Sequence, residues 1–99
     1  MGKLSRDKGA RFEREVAASL GTERAGTKGK PDADDADVIL RTYYVQCKRR
    51  ARLAIGAWWR DTADGAERAG KRPLLVVRED RGEALAIVRL SDLLDDSDA

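Results

Sequence analysis

Three residues close together in this chain could act on one another: a carboxylate, Asp37, an amide, Gln46, and an ammonium, Lys48. Gln46 and Lys48 are two apart in a β-rich run that begins at Tyr43, so on a strand they project from one face while Val45 and Cys47 project from the other into the core. Asp37 directly precedes a second apolar run, Val38-Ile39-Leu40, and Arg41-Thr42 between the runs reads as a hairpin turn. Folding there returns Asp37 to the side of Gln46 and Lys48. Glu13 lies one position round from Phe12 at the border of a helical apolar stripe, and a helix packed on the sheet would turn it toward the same corner. Oxygen donors of this kind suit a hard cation, and an ammonium beside them can stabilise developing negative charge. The chain has no histidine. That removes Ser-His-Asp and Cys-His catalysis, histidine-ligated zinc and the nucleases that use a histidine general base.

Ordinary structural roles stay open for the same residues. Glu13 could pair with an arginine on the helix surface. Asp37 could be a turn residue, and Gln46 and Lys48 could be solvent-facing strand positions. Cys47 reads as a core thiol, a poor nucleophile without a histidine partner.

The elements that must position these groups follow from the patterning of 99 residues, which suffice for one domain, 1–99, burying about 65% of its extended-chain surface. Ser5 or Asp7 can cap a first helix that runs to Leu20 on the stripe Phe12, Val16, Leu20 and is closed by Gly21. Residues 21–36 read as loop, with room for a short strand at 23–25. The hairpin of residues 38–40 and 43–47 comes next, then a second helix over 55–69, stopped by Gly70 and Pro73. Leu74-Leu75-Val76-Val77 reads as a strand buried on both faces, residues 79–83 as a turn, and 84–90 as the returning strand. One helical turn is expected from Ser91 to Leu94, with 91–99 otherwise a frayed acidic tail. The order is α-β-β-α-β-β, an α/β class. Charge is segregated along it. Eight basic and four acidic groups lie in residues 1–30, Asp32, Asp34, Asp35 and Asp37 stand unbalanced, and six basic groups with no acid fill 38–60. An acidic knot between basic stretches suits a metal centre beside a polyanion track, and also a solvated mixed-charge surface.

These residues carry a family resemblance. Asp37…Gln46-Cys47-Lys48 resembles the PD-(D/E)xK nuclease signature, with glutamine in the acidic slot. Lys8-Gly9-Ala10-Arg11-Phe12-Glu13-Arg14-Glu15 is similar to the first-helix motif of archaeal and phage Holliday junction resolvases, whose glutamate falls on Glu13. Arg24-Ala25-Gly26-Thr27 is similar to a further segment of theirs, and Val45-Gln46-Cys47-Lys48-Arg49 resembles the core of Mrr-type restriction endonucleases. The resemblance implies a restriction-endonuclease-like α-β-β-(β)-α-β-β core, with a mixed central sheet flanked by helices. It implies a Mg²⁺-dependent DNA endonuclease, with Mn²⁺ able to substitute and no small-molecule cofactor. Glu13, Asp37, Gln46 and Lys48 would be catalytic, and Glu13, Asp37, Gln46 and the Cys47 backbone carbonyl would hold the metal. Asp35 is the reserve for Asp37. Lys8, Arg14, Arg24, Lys28, Lys30, Arg49, Arg50 and Arg52 would contact DNA phosphates.

The expected substrate is a four-way junction. The alternatives are an Mrr-like or general structure-specific nuclease, and a DNA-binding protein whose catalytic site has decayed at Gln46. Two opposed cuts call for a homodimer, with Trp58 or Trp59 at its interface, since adjacent residues on a helix cannot both face one sheet. A single cysteine, no signal-peptide core and no apolar run near ~18 residues make the cytoplasm the expected home (a bacterial host's, if phage-encoded), with no membrane partner.

Overall fold

The computed structural model describes residues 2–24 and 36–97. Helix α1 is Gly2–Ser19, strand β1 is Tyr43–Arg50, helix α2 is Ile55–Ala69, strands β2 and β3 are Arg72–Glu79 and Leu85–Ile87, and helix α3 is Leu90–Ser97. The result is a small α/β protein with a three-stranded mixed sheet in the order β1-β2-β3. β1 and β2 pair in parallel from Tyr43↔Arg72 to Arg50↔Glu79, and β3 returns antiparallel with Val76↔Ala86 at its centre.

Both long helices stop as their glycines require. Gly21 and Gly70 adopt left-handed backbone at φ 70 and 68. Thr22 N–H then donates to the Ala17 carbonyl and Lys71 N–H to the Ala66 carbonyl, each at 2.9 Å, the six-to-one closure of a Schellman motif. α1 starts earlier than expected, at Gly2, and so runs through Ser5 and Asp7. Lys3, Leu4, Arg6 and Lys8 are good helix formers that extend it upstream.

Alternation along β1 sorts the layers. Val45 and Cys47 join Leu74 and Val76 against Phe12, Val16 and Ala17 of α1. Tyr44 packs on the opposite face with Ala66 of α2. Gly65 is what allows that approach, because a Cβ there would overlap the Tyr44 ring and hydroxyl. Thr62 is fully buried beside it and donates its hydroxyl to the Trp58 carbonyl at 2.7 Å, four residues back.

Three sequence expectations are corrected. Residues 38–40 are not a strand: Val38 alone forms isolated bridges, to Val45 and to Arg24. The neighbouring backbone groups have other partners. Ile39 N–H donates to the Glu23 carbonyl at 3.1 Å, the Ile39 carbonyl accepts from Thr22, and the Leu40 carbonyl accepts from Lys71 Nζ. Arg41-Thr42 lacks the residue types that favour positive φ in a two-residue turn, so the ladder does not close around it. The element order is therefore α-β-α-β-β-α. The acidic tail, second, is helical to Ser97, because Arg72 at the start of β2 faces Asp92 at 3.7 Å and Asp95 at 3.4 Å. Third, the returning strand is shortened to Leu85–Ile87, with Leu85 and Ala86 exposed at the sheet edge. Asp32, Asp34, Asp35, Lys28, Lys30 and Ala25, the last residue of the short strand expected at 23–25, lie outside the described residues; Arg24 forms only the isolated bridge to Val38.

Candidate active site

The single bridge that survives from the hairpin keeps the register a two-residue turn would have set. Val38 opposes Val45, which places Asp37 opposite Gln46. Asp37 is tied down at two points: its N–H donates to the Val45 carbonyl at 2.8 Å, and its Oδ2 accepts from the Cys47 N–H at 2.8 Å. In an extended strand a residue turns its N–H and C=O toward the same edge, so the Cys47 carbonyl faces the Asp37 side as well. The open edge of β1 thus presents a carboxylate and a peptide oxygen together.

α1 supplies the second carboxylate. Phe12 is buried in the core, which turns the next residue, Glu13, out along the cleft wall. Glu13 Oε1 accepts from Arg24 Nε at 2.7 Å. The structural alternative of a helix-surface pair is thus met by an arginine eleven residues downstream, inside the cleft. Among the described residues, Glu13 Oε2 and Asp37 Oδ1 have no hydrogen-bond partner.

These groups line one open cleft of about 750 Å³, together with Gln46, Lys48, Arg49, Arg50 and Lys8. Gln46 and Lys48 also border a smaller hollow on the α2 face, beside Tyr44, Asp61, Asp64 and Arg68. They stand on the ridge between the two. Of the expected phosphate contacts, Lys8, Arg24, Arg49 and Arg50 line the cleft; Arg14 and Arg52 are exposed outside it. Trp58 and Trp59 are half-buried on α2, whereas Leu85, Leu90, Leu93 and Leu94 are the more exposed apolar side chains.

Burial pushes the Asp37 carboxyl up to about 6, and the Glu13 charge adds to this; the Cys47 N–H, Lys48 and Arg24 oppose it. Burial also pushes the Cys47 thiol up, helped by Asp37 and Glu13, so it stays protonated in the core. A desolvated carboxylate beside a second one favours cations in its surroundings. The donors fit a hard divalent ion: two carboxylates with spare oxygens, the Gln46 amide and the Cys47 carbonyl, all oxygen. Among the described residues no three acidic, thiol or imidazole side chains converge, so an ion held here would also draw on the two neutral oxygens.

Sequence reasoning missed Asp80, read there as part of a turn. It lines the same cleft and pairs with Lys8 and Arg49. An acid placed just after a buried strand was the available signal. No family model, curated protein or solved structure matches this chain. Among the described residues, no helix is long and apolar enough to cross a membrane.

Proposed function

We propose that this protein is a Mg²⁺-dependent DNA endonuclease with a restriction-endonuclease-like core, and that its substrate is a four-way DNA junction. The observation that carries the reading is the convergence of Glu13, Asp37, Gln46 and Lys48 on one cleft that also holds Lys8, Arg49 and Arg50. Such a cleft pairs oxygen donors for a divalent ion with cations for a polyphosphate. The PD-(D/E)xK resemblance supplies the reaction class.

Glu13, Asp37, the Gln46 amide and the Cys47 carbonyl would hold the metal. Bound there, Mg²⁺ or Mn²⁺ supplies the charge that polarises the scissile phosphate and acidifies a water. Asp37 is oriented for this by the Cys47 N–H, which fixes one carboxylate oxygen and leaves the other for the ion. Arg24 orients Glu13 in the same way. Lys48 orients the attacking water or stabilises the negative charge that develops on the phosphorane. Arg49 and Arg50, which follow Lys48 on β1 and line the same cleft, hold the DNA backbone, a grip that ignores sequence and weakens with salt.

Resolution of a junction requires two opposed cuts, and a two-fold dimer supplies the second site. Trp58 and Trp59 of α2 are one candidate interface, and the exposed leucines of β3 and α3 are another. A second reading, a DNA-binding protein on the same fold, is favoured by one observation: Glu13 is already neutralised by Arg24 at 2.7 Å.

One experiment separates the readings. Cleavage of a four-way junction and of a linear duplex is compared with and without Mg²⁺. Paired incisions confined to the junction support the resolvase. Metal-dependent cutting of both substrates supports a general nuclease. Binding without cutting supports the non-catalytic protein.

A further inference from the structure

The turn that follows β2 carries an acid to the rim of the cleft. Asp80 Oδ1 accepts from Lys8 Nζ at 2.7 Å and stands 3.6 Å from Arg49 Nε. Its backbone N–H is tied to the Arg50 carbonyl at 3.2 Å, which fixes its position against the end of β1. The two cations belong to different elements, α1 and β1, and one carboxylate oxygen draws them together. Arg50 is held as well, its Nη1 donating to the Arg49 carbonyl at 2.9 Å. The Arg49 side chain is only 16% exposed, and its buried Nε has no hydrogen-bond partner among the described residues. That Nε faces the Asp80 carboxylate, so the ion pair fixes the guanidinium and leaves its terminal nitrogens for an incoming anion.

We propose that Asp80 is a positioning residue that assembles Lys8, Arg49 and Arg50 into a seat for one phosphate of the DNA backbone, at the mouth of the cleft. The proposal rests on the DNA-processing reading above and deepens it. Two cations share one carboxylate and Arg50 lines the cleft next to them, so the seat keeps a positive surplus. The carboxylate holds the ammonium and the guanidinium side by side against their mutual repulsion. A phosphate oxygen arriving there meets cationic donors already oriented, the terminal guanidinium nitrogens of Arg49 among them. The hydrogen bond from Lys8 holds the Asp80 carboxyl below its ordinary range.

The seat makes a prediction whose sign is opposite to that of generic electrostatics. Removing a negative charge from the surface ordinarily tightens binding to a polyanion. Removing this one should loosen it. Affinity for a four-way junction and for a linear duplex is measured in EDTA over a salt series, with thermal melts of each variant. Asp80→Asn should bind about 5- to 10-fold more weakly near physiological salt, with a log K against log[salt] slope shallower by about one contact. Asp80→Glu should recover both. Glu83→Gln, an equal charge change at an exposed position of the same turn, should bind at least as tightly as the parent chain. If Asp80→Asn binds as tightly as the parent with an unchanged slope, the seat is overturned and the DNA reading stands. Weaker binding that merely follows a lowered melting temperature, with the slope unchanged, reduces Asp80 to a tether of α1 and overturns the seat too. If the parent chain binds neither DNA, the seat and the DNA reading fall together.

Discussion

Asp37→Asn should make the metal-free protein more stable at pH 8 while eliminating cleavage. The folded protein raises this carboxyl from 3.8 to about 6, chiefly through burial. A raised carboxyl means that the native state binds the proton more tightly than the unfolded chain does. The contribution of this group to stability is therefore greatest below about pH 4, falls as pH rises toward about 6, and stays reduced above that. Each factor of ten in proton affinity is worth about 1.4 kcal/mol, so the ionised carboxylate costs up to about 3 kcal/mol at pH 8, and roughly 2 after allowance for its partial exposure. Asparagine keeps an oxygen for the Cys47 N–H and removes the charge. Thermal or urea melts in EDTA should place the variant roughly 10 °C above the parent at pH 8, with little difference at pH 4. Mg²⁺ should raise the melting point of the parent and not of the variant. A variant less stable than the parent at pH 8, or a difference independent of pH, would refute the account of Asp37 as a strained, cation-seeking carboxylate.

Lys48→Ala should abolish cleavage while leaving junction binding within a few-fold, because other cations in the cleft carry the electrostatic grip; single-turnover kinetics beside a binding titration would check both. Gln46→Glu should keep activity and lower the Mg²⁺ concentration required, read from a metal titration of the rate, since it adds an anionic ligand opposite Asp37. Gly65→Ala should destabilise the fold by about 1–3 kcal/mol in urea melts, because the added Cβ collides with the buried Tyr44 ring and outweighs the ~1 kcal/mol gain in helix propensity. Sedimentation at micromolar concentration should show a species near twice 10.9 kDa, and a strict monomer that still makes both cuts in a junction would contradict the dimer.

Local signals carried much of this architecture and then gave out at identifiable places. α2 was legible to the residue, because an apolar stripe, a glycine and a proline all point to the same boundaries. The register of Asp37 against Gln46 was legible too, although residues 38–40 do not form the strand that suggested it. Those residues read as β from composition, but their backbone groups are taken by Thr22 and Glu23, which follow α1, and by Lys71, contacts that no local pattern encodes. The acidic tail looked unstructured because its partner, Arg72, lies about twenty residues upstream. Asp80 was hidden for the same reason: its meaning depends on Lys8 and Arg49, which only the folded sheet brings near.

The parallel pairing of β1 with β2 has a consequence for synthesis. All the proposed metal ligands and Lys48 belong to the first 48 residues, yet the strand that carries most of them is an unpaired edge until β2 docks. A nascent chain must complete the α2 crossover before the backbone groups of Tyr44, Gln46 and Lys48 find partners. Nonlocal pairing of this kind is slow compared with helix formation, because the loop must close before any contact repays it. Prematurely terminated chains that end before β2 would therefore hold every cleavage residue and lack the sheet that aligns them. On the proposed reading, the order of the elements itself keeps an unfinished chain inert.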